Sequence, residues 1–284
     1  MRMVRGVLVV LVLALAGCGG SGSASAPSMP SPVPQATASP APFLVNGYVR
    51  DIAFRGLAGA GVEVLDGPQA GTLTIADAAG AFSLTGIFDG RTRFRATKEG
   101  HVTATQSFNS IVTTQSIAFA LDVLGGSVNI AGDYTLTFTA DTSCADQLPA
   151  EVRTRTYAAT VTSSATPADH THLRALLSGA DLDVYYRTIA IYVSGDYVDF
   201  DLSDNFIEEE VAPDTYLAIG GVGAASVGTS GVAATISAPF RGLFDYCITK
   251  AEPVQAAVYS CVPAQAIAHA QCQSNNHRLI LTRR

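Results

Sequence analysis

From Phe43 to the C terminus the chain runs in short stretches of alternating apolar and polar residues, separated by glycine and aspartate. Period-two alternation sends successive side chains to opposite faces of a strand, so this texture commits the chain to β-sheet. "NGYVR", "GVEVL", "GTLTI", "AFSLTGI", "TRFRAT", "HVTATQSF" and "SIAFAL" are seven strand candidates in about 80 residues. That is the cadence of a β-sandwich. Asp66-Gly67, Asp89-Gly90 and Glu99-Gly100 supply turn chemistry between them. From Leu124 about ten further candidates follow, opening with "GDYTLTFTA" and closing with "HRLILTR", with no crossover helix between them. Ten strands leave edges that need protection, and closing the sheet removes them. The expectation is therefore all-β: an N-terminal β-sandwich over 43–122 and an antiparallel, lipocalin-like β-barrel over 123–284. The first and last barrel strands should pair. A second β-sandwich is the alternative.

In the first of these regions, "VNGYVRDIAFRGLAGAGVEVLDG" and "ADAAGAFSLTGIFDGRTRFRATKEGH" resemble the carboxypeptidase regulatory-like domain. The matching segments are Gly47 to Val49, Leu57 to Val64, Asp77 to Phe82 and Gly90 to His101. Ala76 stands where threonine is common, and His101 where tyrosine is. The resemblance covers residues 43–122 and implies a transthyretin-like sandwich of the carbohydrate-binding-like class. It implies no peptidase activity, because that domain accompanies the enzyme rather than forming it. The C-terminal region resembles no family in this way.

The N terminus gives an address. Arg2 and Arg5 precede an uncharged run from Gly6 to Gly17. Its 12 residues fall short of the roughly 20 that span a bilayer as a helix. A basic start, a short apolar run and small residues at its end make a secretory signal over 1–17. Leu15-Ala16-Gly17-Cys18 resembles the lipobox of bacterial lipoproteins, which implies cleavage before Cys18 and acylation of its thiol. Several acyl chains anchor a protein stably where one does not. Residues 18–42 then form a Ser/Pro/Ala-rich linker, uncharged and without apolar period, reaching roughly 27 Å by coil scaling. The expected location is the bacterial cell envelope, on the outer membrane if the organism is Gram-negative.

The other four cysteines, an even number in an exported chain, read as two disulfides. Cys247 and Cys261 flank a segment short enough for one hairpin to join them. Cys144 follows the first strand of the second region and Cys272 precedes the last, so pairing of those strands would join Cys144 to Cys272.

Composition excludes one class of partner. The formal net charge is −7, and loss of Arg2 and Arg5 takes it to −9, so nucleic acid is not an expected partner. Sequence motifs for catalysis are missing: there is no G-x-S-x-G elbow, H-E-x-x-H helix or P-loop. No cofactor and no metal is expected. His170 and His172, two apart on a strand candidate, lack a third ligand. In "DYVDFDLSDNFIEEE", Asp199 and Asp201 alternate with Val198 and Phe200 as on the wet face of a strand, and the spacing matches no calcium loop. Arg91, Arg93 and Arg95 share one strand face, either solvated or facing anionic envelope groups.

Nine of the ten tyrosines lie after residue 122, and Tyr185, Tyr186, Tyr192 and Tyr197 gather in one stretch. Aromatic faces with hydroxyls suit polar ligands. Tyr185 and Tyr192 are the candidate ligand-binding residues. The expected function is a non-enzymatic, lipid-anchored binding module for an envelope glycan, small ligand or protein partner. The alternatives are an envelope hydrolase with its site in the C-terminal region and a structural accessory without a ligand.

Overall fold

The computed structural model describes residues 42–88, 91–107, 114–164, 166, 170–204, 206–228, 234–250 and 266–284. The signal segment, Cys18 and the linker up to residue 41 lie outside them, as does Cys261.

The seven strand candidates of the first region all form. One sheet joins β1 (Phe43–Asp51) to β4 (Ala81–Gly86) antiparallel and to β7 (Thr114–Leu121) parallel. A second holds β3 (Leu73–Ile75), β2 (Gly61–Val64), β5 (Arg93–Thr97) and β6 (Ala104–Ser107), in that order. Alternate residues turn inward from both, among them Val45, Val49, Val62, Val64, Phe82, Leu84, Phe94, Ala96, Ile117 and Phe119. Gly47 is required here by close approach: a Cβ would stand 2.1 Å from the Ile117 carbonyl oxygen and 2.6 Å from the Phe82 ring.

The second region forms a closed antiparallel barrel of eight strands. The order is β8 (Gly132–Thr139), β9 (Thr154–Ser163), β10 (His172–Ser178), β11 (Thr188–Ser194), β12 (Tyr197–Asp201), β14 (Thr215–Ser226), β15 (Thr235–Ile248) and β16 (Ala268–Arg283). Closure comes from the β12–β14 and β16–β8 ladders. The first and last strands pair as the sequence predicts, Tyr134 opposite Arg283 through to Thr139 opposite Arg278. One of the ten strand candidates of this region, "DLDVYY" (residues 181–186), does not form a strand and is a bent loop with a single bridge at Leu182. Asp181 to Val184 alternate as a strand would, but Asp183 turns the chain by accepting the Tyr185 N–H at 2.7 Å.

One wall strand is interrupted. β13 (Ile207–Ala212) runs antiparallel to β14, just as β12 does, and so continues the line of β12 after a break. Leu202 and Gly221 exchange backbone hydrogen bonds, and Ile207 lies opposite Ile219, so on the facing strand only Gly220 separates the two pairings. Such a bulge bends the strand and re-aims its side chains. Gly220 makes room for it, since a Cβ there would lie 2.1 Å from the Phe206 ring.

Side chains fill the barrel interior. Tyr134, Leu136, Phe138, Tyr157, Leu177, Ile191, Phe200, Phe240 and Phe244 are fully buried among smaller apolar residues. Phe138 meets Phe240 edge-on at 5.3 Å. Each such large side chain contributes about 1.5–3 kcal/mol by leaving water. The likeness to a lipocalin thus extends to the closed wall and not to a hollow centre.

Candidate functional site

The outer wall over β10, β11 and β12 carries a cleft of about 350 Å³, lined by Ser164, Leu173, Arg174, Thr188, Ala190, Tyr192, Asp201 and Asp204. The ladder explains it. Arg174, Ala190 and Asp201 form one cross-strand row, and His172, Tyr192 and Asp199 form the next. The small side chain of Ala190 between two long ones leaves a depression, with Arg174 on one flank, Asp201 on the other and Tyr192 at its head. Asp204 reaches the rim because it belongs to the bulge after β12.

Neither Arg174 nor Asp204 makes a hydrogen bond or ion pair among the described residues. Asp201 accepts the Ser203 N–H at 2.8 Å and the Ser203 hydroxyl at 2.6 Å, which holds its carboxylate in place. Burial raises the Tyr192 phenol pKa, and the carboxylates of Asp201, Asp199 and Asp204 push it further the same way. Three acids therefore converge on this ring.

A turn of the sandwich borders the head of the cleft. Asp51, its side chain fully buried, accepts hydrogen bonds from the Arg55 backbone N–H at 3.0 Å and Nε at 2.9 Å. This closes the turn and fixes Arg55, whose guanidinium lies 4.7 Å above the Tyr197 ring of the barrel. Phe54, at φ 60°, projects its ring against Tyr192. Asp199, across the ladder from Tyr192 and two residues from Tyr197, lies beneath this contact. Burial pushes its carboxyl up to about 7, and the neighbouring Asp201 and Asp51 add to the shift. The wet strand face expected for Asp199 is thus half covered.

Of the two candidate tyrosines, Tyr192 lines the cleft and Tyr185 does not. Tyr185 is 78% exposed on the loop after Leu182. Sequence reading noted Asp201 and Asp204 only as part of the acidic segment, and among the other lining residues it did not single out Arg174 or Ala190. Both carried a signal, since an arginine and a small residue sit on the polar face of adjacent strand candidates. The bulge that brings Asp204 to the rim carried none, because it interrupts the alternation.

The remaining candidates find partners. Arg93 donates to Asp66 from Nε at 2.8 Å, and Arg95 donates to Glu63, so two of the three stripe arginines are neutralised within the sheet. Among the described residues, no group of three or more His, Cys, Asp or Glu is arranged to hold a metal ion. The acidic segment is dispersed along the interrupted strand. Asp201 and Asp204 line the cleft and Asp199 lies across the ladder from Tyr192, while Glu209 is buried, accepting from Tyr157 Oη at 2.9 Å and paired to Arg155.

A serine, a histidine and an aspartate do meet, near the disulfide, but they are not wired for nucleophilic catalysis. His277 is fully buried. Its Nδ1 accepts the Asp141 backbone N–H at 2.9 Å, and its Nε2 donates to the Gly242 carbonyl at 3.1 Å. The Ser274 hydroxyl donates to the Asp141 carboxylate rather than to the ring. With both ring nitrogens engaged by the main chain, the imidazole has no lone pair left to take the serine proton. The Cys144–Cys272 disulfide forms as expected, tying the turn after β8 to β16. Cys247 is also disulfide-bonded, and its expected partner Cys261 lies outside the described residues.

No family model matches the chain, and no curated protein matches it. Among solved structures it is similar to one from Bacteroides fragilis, described as membrane-associated and of unknown function. That match has 9% identity, 85% coverage of this chain, 97% coverage of the other and a TM-score of 0.24. A likeness at that level carries no argument about this chain.

Proposed function

We propose that this is an exported, lipid-anchored protein of the bacterial envelope that binds a small polar ligand in the outer-wall cleft and performs no chemistry on it. The observation that carries the reading is the cleft itself: unpaired Arg174 and Asp204 set around Ala190 and headed by the Tyr192 ring. Charged groups left unpaired in a concavity beside an aromatic face are the ingredients of a recognition site. The main-chain wiring of His277 supports binding over hydrolysis. In this reading residues 43–122 are an accessory domain of the carboxypeptidase regulatory-like type, and the turn at Asp51–Arg55 braces the head of the cleft.

A second reading is a structural accessory without a ligand, and the filled barrel favours it. Binding separates the two. The cleft reading expects a saturable ligand whose affinity falls about tenfold or more in Tyr192→Ala, as loss of an aromatic anchor does. The accessory reading expects no saturable ligand. The anchor is tested apart from the cleft: Cys18→Ser should abolish lipid labelling and membrane fractionation while export continues. A variant that still partitions with membranes contradicts the lipobox assignment.

A further inference from the structure

We propose that the ligand of the outer-wall cleft is a zwitterion, with its ammonium against Asp201 and Asp204 and its anionic end against Arg174. This deepens the reading of the cleft as a binding site and rests on it. Four other arginines have found carboxylates within the fold: Arg55 with Asp51, Arg93 with Asp66, Arg95 with Glu63 and Arg155 with Glu209. Arg174 has not, although two aspartates share its cleft. The ladder keeps them apart. Arg174 and Asp201 lie in one row with Ala190 between them, two strand spacings or about 10 Å apart at their Cα atoms.

Opposite charges held apart over an apolar floor select a ligand that spans them. A simple cation would satisfy the aspartates and leave Arg174 as a like charge beside it. A simple anion would meet the carboxylates of Asp201 and Asp204. A neutral sugar would desolvate both charges without neutralising either, which costs free energy. A molecule with an ammonium at one end and a carboxylate or phosphate at the other satisfies both flanks. The Tyr192 ring offers the ammonium a face, and the Arg174 fork suits a planar or tetrahedral anion. Two sources share this chemistry: an amino-acid or peptide end, and a phosphoethanolamine headgroup.

The test is calorimetric titration of the purified protein with alanylalanine, its N-acetyl and amide forms, phosphoethanolamine and neutral cellotetraose. At least one doubly charged probe should bind, and each singly charged dipeptide form should bind at least tenfold more weakly than the dipeptide. Preference for phosphoethanolamine would assign the ligand to headgroup chemistry, and the reverse to amino-acid chemistry. Arg174→Met should erase the penalty for amidation, and Asp204→Asn should reduce the penalty for N-acetylation. Failure of both zwitterions, or equal binding of the singly charged forms, overturns the inference. If cellotetraose alone binds and Tyr192→Ala weakens it, the cleft stands and the zwitterion falls. If no probe binds, the inference falls, and the cleft is then judged by whether any other small ligand binds there.

Discussion

The rings of Phe54 and Tyr192 meet edge-to-face, with centroids 4.8 Å apart and planes at 81°. One residue belongs to a sandwich turn and the other to the barrel wall, so this pair joins two separately cored regions at the head of the cleft. Its backbone, at φ 60°, is in a region that residues other than glycine seldom adopt, so Phe54 keeps that conformation against a local cost. An edge-to-face pair contributes about 0.5–1.5 kcal/mol beyond burial. Phe54→Ala should therefore lower stability by about 1 kcal/mol in urea unfolding and weaken ligand binding. Full affinity in the variant would remove the turn from the site.

Asp199 gives the contact a pH dependence. Its carboxyl titrates near 7 in the folded protein and at about 3.9 in an unfolded chain. Between those values the folded state holds a proton that the unfolded state has released, so stability falls as pH rises from about 4 to 7. Asp199→Asn keeps the side chain neutral and should recover about 2 kcal/mol at pH 8, a figure discounted for partial exposure. Equal pH slopes in both proteins would contradict this.

His277 acts in the opposite direction. Burial lowers its pKa below the usual histidine value, so the folded state keeps the ring neutral. Its stabilisation is complete above the unfolded value of about 6.5 and is lost as pH falls below it. His277→Ala strands the Asp141 N–H and the Gly242 carbonyl and opens a cavity, for a loss of about 2–4 kcal/mol at pH 7.5. Unfolding at pH 7.5 and pH 5 in an Asp199→Asn background isolates the histidine. The alanine variant should lose less on acidification than its parent.

The Cys144–Cys272 bridge closes a loop with a sequence separation of 128. The chain-entropy model gives such a closure about 4–5 kcal/mol. The double variant Cys144→Ser with Cys272→Ser should lose that order of stability in denaturant while the β8–β16 ladder keeps the barrel closed. A variant with unchanged midpoint would show that the unfolded chain is constrained by other means.

Strand identity was legible where alternation is strict. Tyr134, Leu136 and Phe138 announced β8, and among the sandwich turns Asp66-Gly67 and Glu99-Gly100 place their glycines at φ 82° and 78°, while Asp89-Gly90 lies outside the described residues. Barrel closure was legible from edge physics, and the Cys144–Cys272 pair followed from it. The interrupted strand was not, because Ile207, Glu208 and Glu209 are consecutively buried and show no period. Glu209 is tolerated there by Arg155 and Tyr157, partners more than fifty residues away in sequence. The cleft was hidden for a related reason. Its chemistry lies in register across three strands, and register is set by hairpin lengths and a bulge that composition does not reveal.

The most direct test of the central claim is backbone amide chemical-shift mapping on the assigned protein during titration with a mixed library of small polar ligands. A ligand site on this wall predicts saturable shifts that centre on Arg174, Ala190, Tyr192 and Asp201, spread to Phe54, and need at least about tenfold more ligand in Tyr192→Ala. Saturable shifts centred elsewhere, or none at all, would contradict a ligand site on this wall.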